Sequence, residues 1–201
     1  MYENAKQARS VKRIDTLLNT ADRLLCEGAE VSNISIALLT KEAGLKRTST
    51  YKFFQTPEDI KYALASKYLV ALTSHIKKIQ FSLEDNTLHE LCSNLVDECF
   101  HFFNENLGAT KLLLGNSFLH SVDKDVFKDL SDTILNKFEN KTNLPNMFDK
   151  HGVFLVTNQI LLAVMSLNFR QNNLLNDTGN CLLYTSPSPR DLSTSRMPSS
   201  A

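Results

Sequence analysis

Residues 36–54 read IALLTKEAGLKRTSTYKFF, and the fold turns on them. Ser35, just before, can cap a short helix that runs to Ala43. Gly44 supplies the left-handed stop at its end. A further short helix is predicted over about Arg47 to Phe53. Two short helices joined through Ala43-Gly44-Leu45 form a helix-turn-helix layout, in which glycine permits the sharp turn. The second helix carries Lys46, Arg47, Thr48, Ser49, Tyr51 and Lys52, and no acid. Stood off the protein, such a helix fits a major groove about 12 Å wide, with cations and hydroxyls for phosphates and base edges. On spacing alone, an αα-hairpin with an incidentally polar face accounts for the stretch equally well.

Outward from this stretch the chain reads as helices. Val11, Ile14, Leu17, Leu18, Ala21, Leu24 and Leu25 recur at steps of three and four, one face of a helix ending at Gly28. Thr56-Pro57-Glu58-Asp59 is a helix start, with Thr as N-cap, Pro at the first position and acids in the first turn. That helix continues through Ile60, Leu64, Tyr68, Leu72, Ile76 and Ile79. Asp85 or Asn86 is expected to open the next, with Leu88, Leu91, Leu95, Cys99, Phe102 and Phe103 on one face. Residues 109–120 and 123–140 give two more, and Pro145 breaks the chain before a last helix from Met147 to about Arg170. No run of alternating β-branched residues competes, so the fold class is all-α, without internal repeats.

Composition narrows the classes. The 201 residues are 42% apolar and 22% charged, ordinary for a globular chain. Lys plus Arg and Asp plus Glu are 22 each, so the net charge is zero. The charge is unevenly spread: residues 1–54 hold nine basic and six acidic residues, and residues 55–180 hold eleven and fifteen. A mildly basic head on an acidic body points toward an anionic polymer at one end. The N-terminus has no apolar secretory segment, and cysteines without a C-x-x-C pair fit a reducing cytoplasm. Gly152 to Phe169 is nearly all apolar, but at 18 residues, with Thr157, Asn158, Gln159 and Ser166 inside it, it reads as a core or subunit-interface helix rather than a membrane span. His89, Cys92 and Cys99 share a helical face, yet the cysteines alternate with Leu88, Leu95 and Phe102, so they read as core and not as metal ligands. No phosphate loop, nucleophile elbow or H-E-x-x-H occurs, so neither enzyme nor cofactor is expected.

Residues 181–201 differ in kind, with three of the five prolines and six serines. CLLYTSPSPRD and SRMPSSA resemble the in-frame translation of a transposase-type sequencing adaptor. This stretch is read as a non-native tail and set aside from the fold. The division expected is therefore 1–56, a helix-turn-helix head; 57–180, a helical regulatory and dimerisation domain cut short of its end; and 181–201, the tail.

Ser35, Leu39-Thr40-Lys41-Glu42-Ala43-Gly44-Leu45 and Tyr51-Lys52-Phe53-Phe54 together resemble the N-terminal signature of the TetR/AcrR family of bacterial transcriptional regulators. The resemblance covers about residues 9–62; beyond them only the helical layout is similar. Lys46 stands where the family has Ser, Thr48 where it has Gly, Thr50 where an inward Leu is usual, and Pro57 in place of a phosphate-contacting Lys. Thr50 should cost some packing. Carried over position by position, the resemblance implies that Ser35 caps the second helix and touches phosphate. It places Lys46, Arg47 and Thr48 at the start of a recognition helix, Arg47 and Thr48 where base edges are reached. Ser49, Tyr51 and Lys52 it makes phosphate-positioning contacts. Leu39, Ala43, Leu45 and Phe54 are assigned to the core.

The resemblance further implies a dimeric DNA-binding regulator, expected to be a repressor, reading a palindromic operator on double-stranded DNA and released by a small-molecule inducer. Phe100, His101, Phe103, Phe118 and His120 are the candidate pocket residues. The two C-terminal helices of each subunit would form the dimer interface, Met147 to Arg170 being the first. The alternative function is a helical protein–protein adaptor without DNA binding.

Overall fold

The computed structural model describes residues 2–80, 87–115, 124–173 and 175. They are helical, with no strand among them. Helix α1 spans Tyr2–Cys26 and a single 3-10 turn covers Val31–Asn33. Then come α2, Ile36–Glu42, α3, Arg47–Thr50, and α4, Pro57–Lys78. Helix α5 spans Leu88–Glu105; α6, Leu107–Ala109, runs straight into a π-helical turn, Thr110–Leu114. Helices α7, Lys124–Glu139, and α8, Lys150–Asn172, complete the body.

Local chemistry sets most of these boundaries. Gly28 leaves α1 at φ +107° and Gly44 leaves α2 at φ +64°, conformations that a Cβ would strain. Ser35 caps α2 by accepting from Leu38 N at 3.2 Å. Helix α4 opens on a reciprocal capping box: Thr56 Oγ1 accepts from Asp59 N, and the Asp59 carboxylate accepts from Thr56 N and Gln55 N. Helix α5 differs from the expected start. Its cap is Thr87, again a capping box with Glu90, and not Asp85 or Asn86, which lie outside the described residues. Helix α8 begins three residues later than Met147, because Asp149 accepts from Gly152 N at 2.9 Å and fixes the start there.

Long α4 joins head to body. Its buried stripe, Ile60, Leu64, Tyr68, Leu72 and Ile76, packs on α1 at one end and on α5 and α7 at the other. In α5 the buried face is Leu91, Leu95, Val96, Cys99, Phe100, Phe102 and Phe103. Cys92 and Leu88 are exposed, a correction to the stripe expected for them. Val11 is exposed too, since α1 outruns the core at its N-terminal end. Helix α8 packs on α7 and the π turn through Phe154, Leu161, Leu162 and Met165. Its polar residues have partners there. Asn158 Nδ2 donates to Ser131 Oγ at 3.2 Å, and Ser166 Oγ donates to Leu114 O at 2.6 Å. The opposite side of α8 shows Val153, Val156, Ile160 and Leu167 to solvent. It is also the one described helix long and apolar enough to cross a membrane.

Among the described residues, several contacts tie α1 to the helices that follow α3, Lys67 Nζ donating to Asn19 Oδ1 at 2.6 Å among them. The Tyr68 hydroxyl of α4 donates to Asp22 Oδ1 of α1 at 2.5 Å. Gly108 backs onto that pair so closely that any Cβ there would collide with both. Lys111, on the π turn, donates from Nζ to Leu25 O at 3.0 Å, in the last turn of α1, and to Ala29 O at 3.4 Å, just beyond its end. A cation at a helix C-terminus satisfies orphan carbonyls and complements the helix dipole.

Candidate nucleic-acid interface

Helix α2 packs on α1 and α3 packs on α2. Leu39, fully buried, and Phe54, buried, belong to the core, with Ala43 and Leu45 packed partly against it. Arg23 of α1 reaches both Glu27, at 2.8 Å, and Glu42, at 3.2 Å. Such exposed pairs stabilise little. Their electrostatic effect matters more, because they hold the only acid of α2 against a cation on α1.

The backbone carries α3 on from Thr50 as a hydrogen-bonded turn: Tyr51 N donates to Arg47 O, and Phe54 N to Thr50 O at 3.0 Å. On this single turn and its continuation, Lys46, Arg47, Thr48, Tyr51 and Lys52 are exposed and Ser49 half-buried. Lys46, Arg47 and Lys52 are the charges of the surface, and no acid lies between Gly44 and Gln55. The seven sequence-assigned residues thus fall into two groups. Six share the α3 segment. Ser35 sits apart at the start of α2, half-buried, with its side chain engaged in the cap.

Two contacts refine the roles the side chains can take. Ser49 Oγ donates to Lys46 O at 2.7 Å, so its proton is spent inside the turn. Arg47 bends one turn forward onto Tyr51. Its Nε and Nη2 donate to Tyr51 Oη at 3.3 and 3.1 Å, and its Cζ lies 5.6 Å from the ring centroid. That pairing was not anticipated, although the i, i+4 spacing of an arginine and a tyrosine on a helix was its visible signal.

Thr50 is the inward residue of α3, 1% exposed, and among the described residues its Oγ1 finds no hydrogen-bond partner. A helical threonine normally bonds back to the carbonyl four residues earlier. Here that carbonyl, Lys46 O, already accepts from Ser49 N, Thr50 N and Ser49 Oγ. The packing cost expected of Thr50 is therefore visible as an orphaned hydroxyl.

In the body, Phe100 and Phe103 are buried in the core, Phe103 edge-on to Phe102 at 5.4 Å between centroids. His101 is exposed and pairs with Glu105 at 3.3 Å. Phe118 and His120 lie outside the described residues. His75 of α4 contacts Glu98 of α5 at 2.9 Å. Among the described residues no three His, Cys, Asp or Glu side chains are arranged to hold a metal.

No family model matches the sequence, and no curated protein is significantly similar to it. Among solved structures, the fold matches that of a TetR-family transcriptional regulator from Streptomyces coelicolor, with a TM-score of 0.62 and 19% identity, over 85% of this chain and 92% of that one. The chain has the all-helical fold of that regulator.

Proposed function

We propose that the protein is a DNA-binding transcriptional regulator, a ligand-responsive repressor that reads a palindromic operator as a dimer. The observation that carries the reading is the α3 surface: three exposed cations and no acid on the second helix of a helix-turn-helix. Arg47 and Thr48 would reach base edges, while Ser35, Lys46, Tyr51 and Lys52 position the head on phosphates; Ser49 joins them only by turning its proton away from Lys46 O. The apolar side of α8, with Val153, Val156, Ile160 and Leu167 exposed, supports a partner subunit seated on it, since contiguous apolar surface of this kind favours burial. An inducer in the body would release DNA by binding more tightly to the arrangement of the heads that does not fit the operator. Phe100, His101, Phe103, Phe118 and His120 are its proposed neighbours.

Binding to selected and to random duplex over a range of salt tests the reading, since phosphate contacts release counterions. Arg47→Ala should lower affinity for the selected sequence by about 1–3 kcal/mol and blur its specificity. Lys52→Ala should weaken all duplexes about equally and reduce the salt slope by about one. Equal losses on both DNAs for both variants would overturn the assignment. Absence of salt-dependent binding would favour the protein–protein adaptor instead.

A further inference from the structure

We infer that Tyr51 is a positioning residue for Arg47, and that together they make guanine the base read by α3. The inference rests on the DNA-binding reading above and goes beyond it. A free arginine side chain samples many rotamers, and ordering it on a base costs conformational entropy. Here the guanidinium is already held. Nε and Nη2 both donate to Tyr51 Oη, and the guanidinium lies against the phenol ring.

The way it is held selects what it can read. A guanidinium has five N–H groups in a fixed planar fork. One from Nε and one from Nη2 point at Tyr51. That leaves three: one N–H on Nη2 and one on Nη1 form the end-on edge, two parallel donors, while the second N–H of Nη1 points back toward Cδ. Two parallel donors match the O6 and N7 acceptors of guanine in the major groove. Adenine offers a donor at N6 in place of O6, and the pyrimidines offer no such pair. Tyr51 Oη, while accepting from Arg47, keeps its own proton. It can donate that proton to a phosphate, so one residue fixes both the backbone register and the arginine. Lysine at position 47 could make neither the fork nor the side-on contact with the phenol.

Tyr51→Phe keeps the ring and removes the oxygen that holds Arg47; loss of its phosphate contact weakens all duplexes alike, so the guanine preference isolates the effect on Arg47. Tyr51 is exposed, so the head should fold unchanged by circular dichroism. The experiment selects sequences from a random duplex pool with the native chain, Tyr51→Phe and Arg47→Ala. Binding is then measured to the selected site and to the same site with 7-deazaguanine at the preferred guanine. The native chain should select a G·C pair in each half-site and lose about tenfold on 7-deazaguanine, the scale of one base contact. Tyr51→Phe should bind every duplex somewhat more weakly, through the lost phosphate contact, and in addition lose about three- to tenfold of that guanine preference. Arg47→Ala should show no preference there and be indifferent to 7-deazaguanine. Selection without a guanine, or a Tyr51→Phe chain with its preference intact, overturns the inference and leaves DNA binding standing. A native chain that binds no duplex overturns both.

Discussion

Replacing Thr50 by valine should make the protein more stable, contrary to the usual effect of altering a buried residue. The side chain is 1% exposed and its hydroxyl lacks a partner, because Lys46 O is already shared among three donors. A buried hydroxyl left unpaired costs about 1–3 kcal/mol. Valine has nearly the same shape and the same branching at Cβ, so the helix loses nothing in rotamer freedom. The exchange also adds an apolar methyl to the core, worth at most about 0.8 kcal/mol. Taken together, a gain of about 1–2 kcal/mol is expected, which for a chain of this size corresponds to a rise in Tm of about 2–8 °C. Urea unfolding followed by circular dichroism would show a higher midpoint at unchanged slope. Thr50→Ser, which keeps the hydroxyl and removes the methyl, should lower stability by about 1 kcal/mol. DNA binding should be unaffected by Thr50→Val, as the side chain faces away from the α3 surface. A valine variant no more stable than the native chain would mean that the hydroxyl is satisfied after all, and the reasoning about Lys46 O would fail.

Gly108→Ala should destabilise by about 1–3 kcal/mol, although alanine is ordinarily the better helix former, because the new Cβ collides with Tyr68 and Asp22. Adding Tyr68→Phe should recover part of the loss, and a Gly108→Ala chain with a raised Tm would refute the close approach. Cys99 should resist a thiol reagent at pH 8 while exposed Cys26 and Cys92 react, as mass spectrometry of the labelled peptides can show. Burial, and then neighbouring Glu98, pushes its thiol up from 9.0 to about 12. Its folded value lies above the unfolded one, so the stability it contributes is present below pH 9 and is lost as pH rises from 9 to 12. The capping acids carry the opposite sign. Asp59 and Glu90 are held below the usual carboxylate range, chiefly by the backbone N–H groups of Thr56 and Thr87. Their contribution is present above that range and lost as pH falls through it, so Asp59→Asn should flatten the acid limb of a plot of urea midpoint against pH. An acid limb as steep as the native one would show that the cap is silent.

Where a boundary is set by side-chain chemistry close in sequence, the residues alone were enough. Ser35, Gly44 and the Thr56 cap each act within three or four positions, and each lies where the residues place it. The start of α5 was misplaced although its signal was of the same kind. Thr87 and Glu90 form a box like that of α4, but the neighbouring Asp85 and Asn86 are equally good caps by residue type. The buried face of α5 holds Leu91, Leu95, Cys99, Phe102 and Phe103 as expected, and fails at Leu88 and Cys92 for a different reason. Leucines at 88, 91 and 95 fit stripes a third of a turn apart, and only packing against α4 decides that Leu91 is buried and Leu88 exposed. The π turn at Thr110–Leu114 left no mark in the sequence, since it depends on contacts with α1 and α8. At the α3 surface residue types were legible and their coupling was not. Nothing in a charge count shows that Arg47 is held by Tyr51, or that Ser49 has turned its proton inward.

The ammonium of Lys111 closes the end of a helix that lies 86 residues earlier in the chain. The end of α1 is therefore the joint property of two parts of the molecule that the sequence keeps far apart. Linkage makes the consequence symmetrical. If drawing the π turn away from α1 loosens the head, then fixing the head on a duplex must stiffen the π turn by the same free energy. Occupancy of DNA should thus be readable inside the body, as slower amide hydrogen exchange at Thr110–Leu114, with no ligand present there at all.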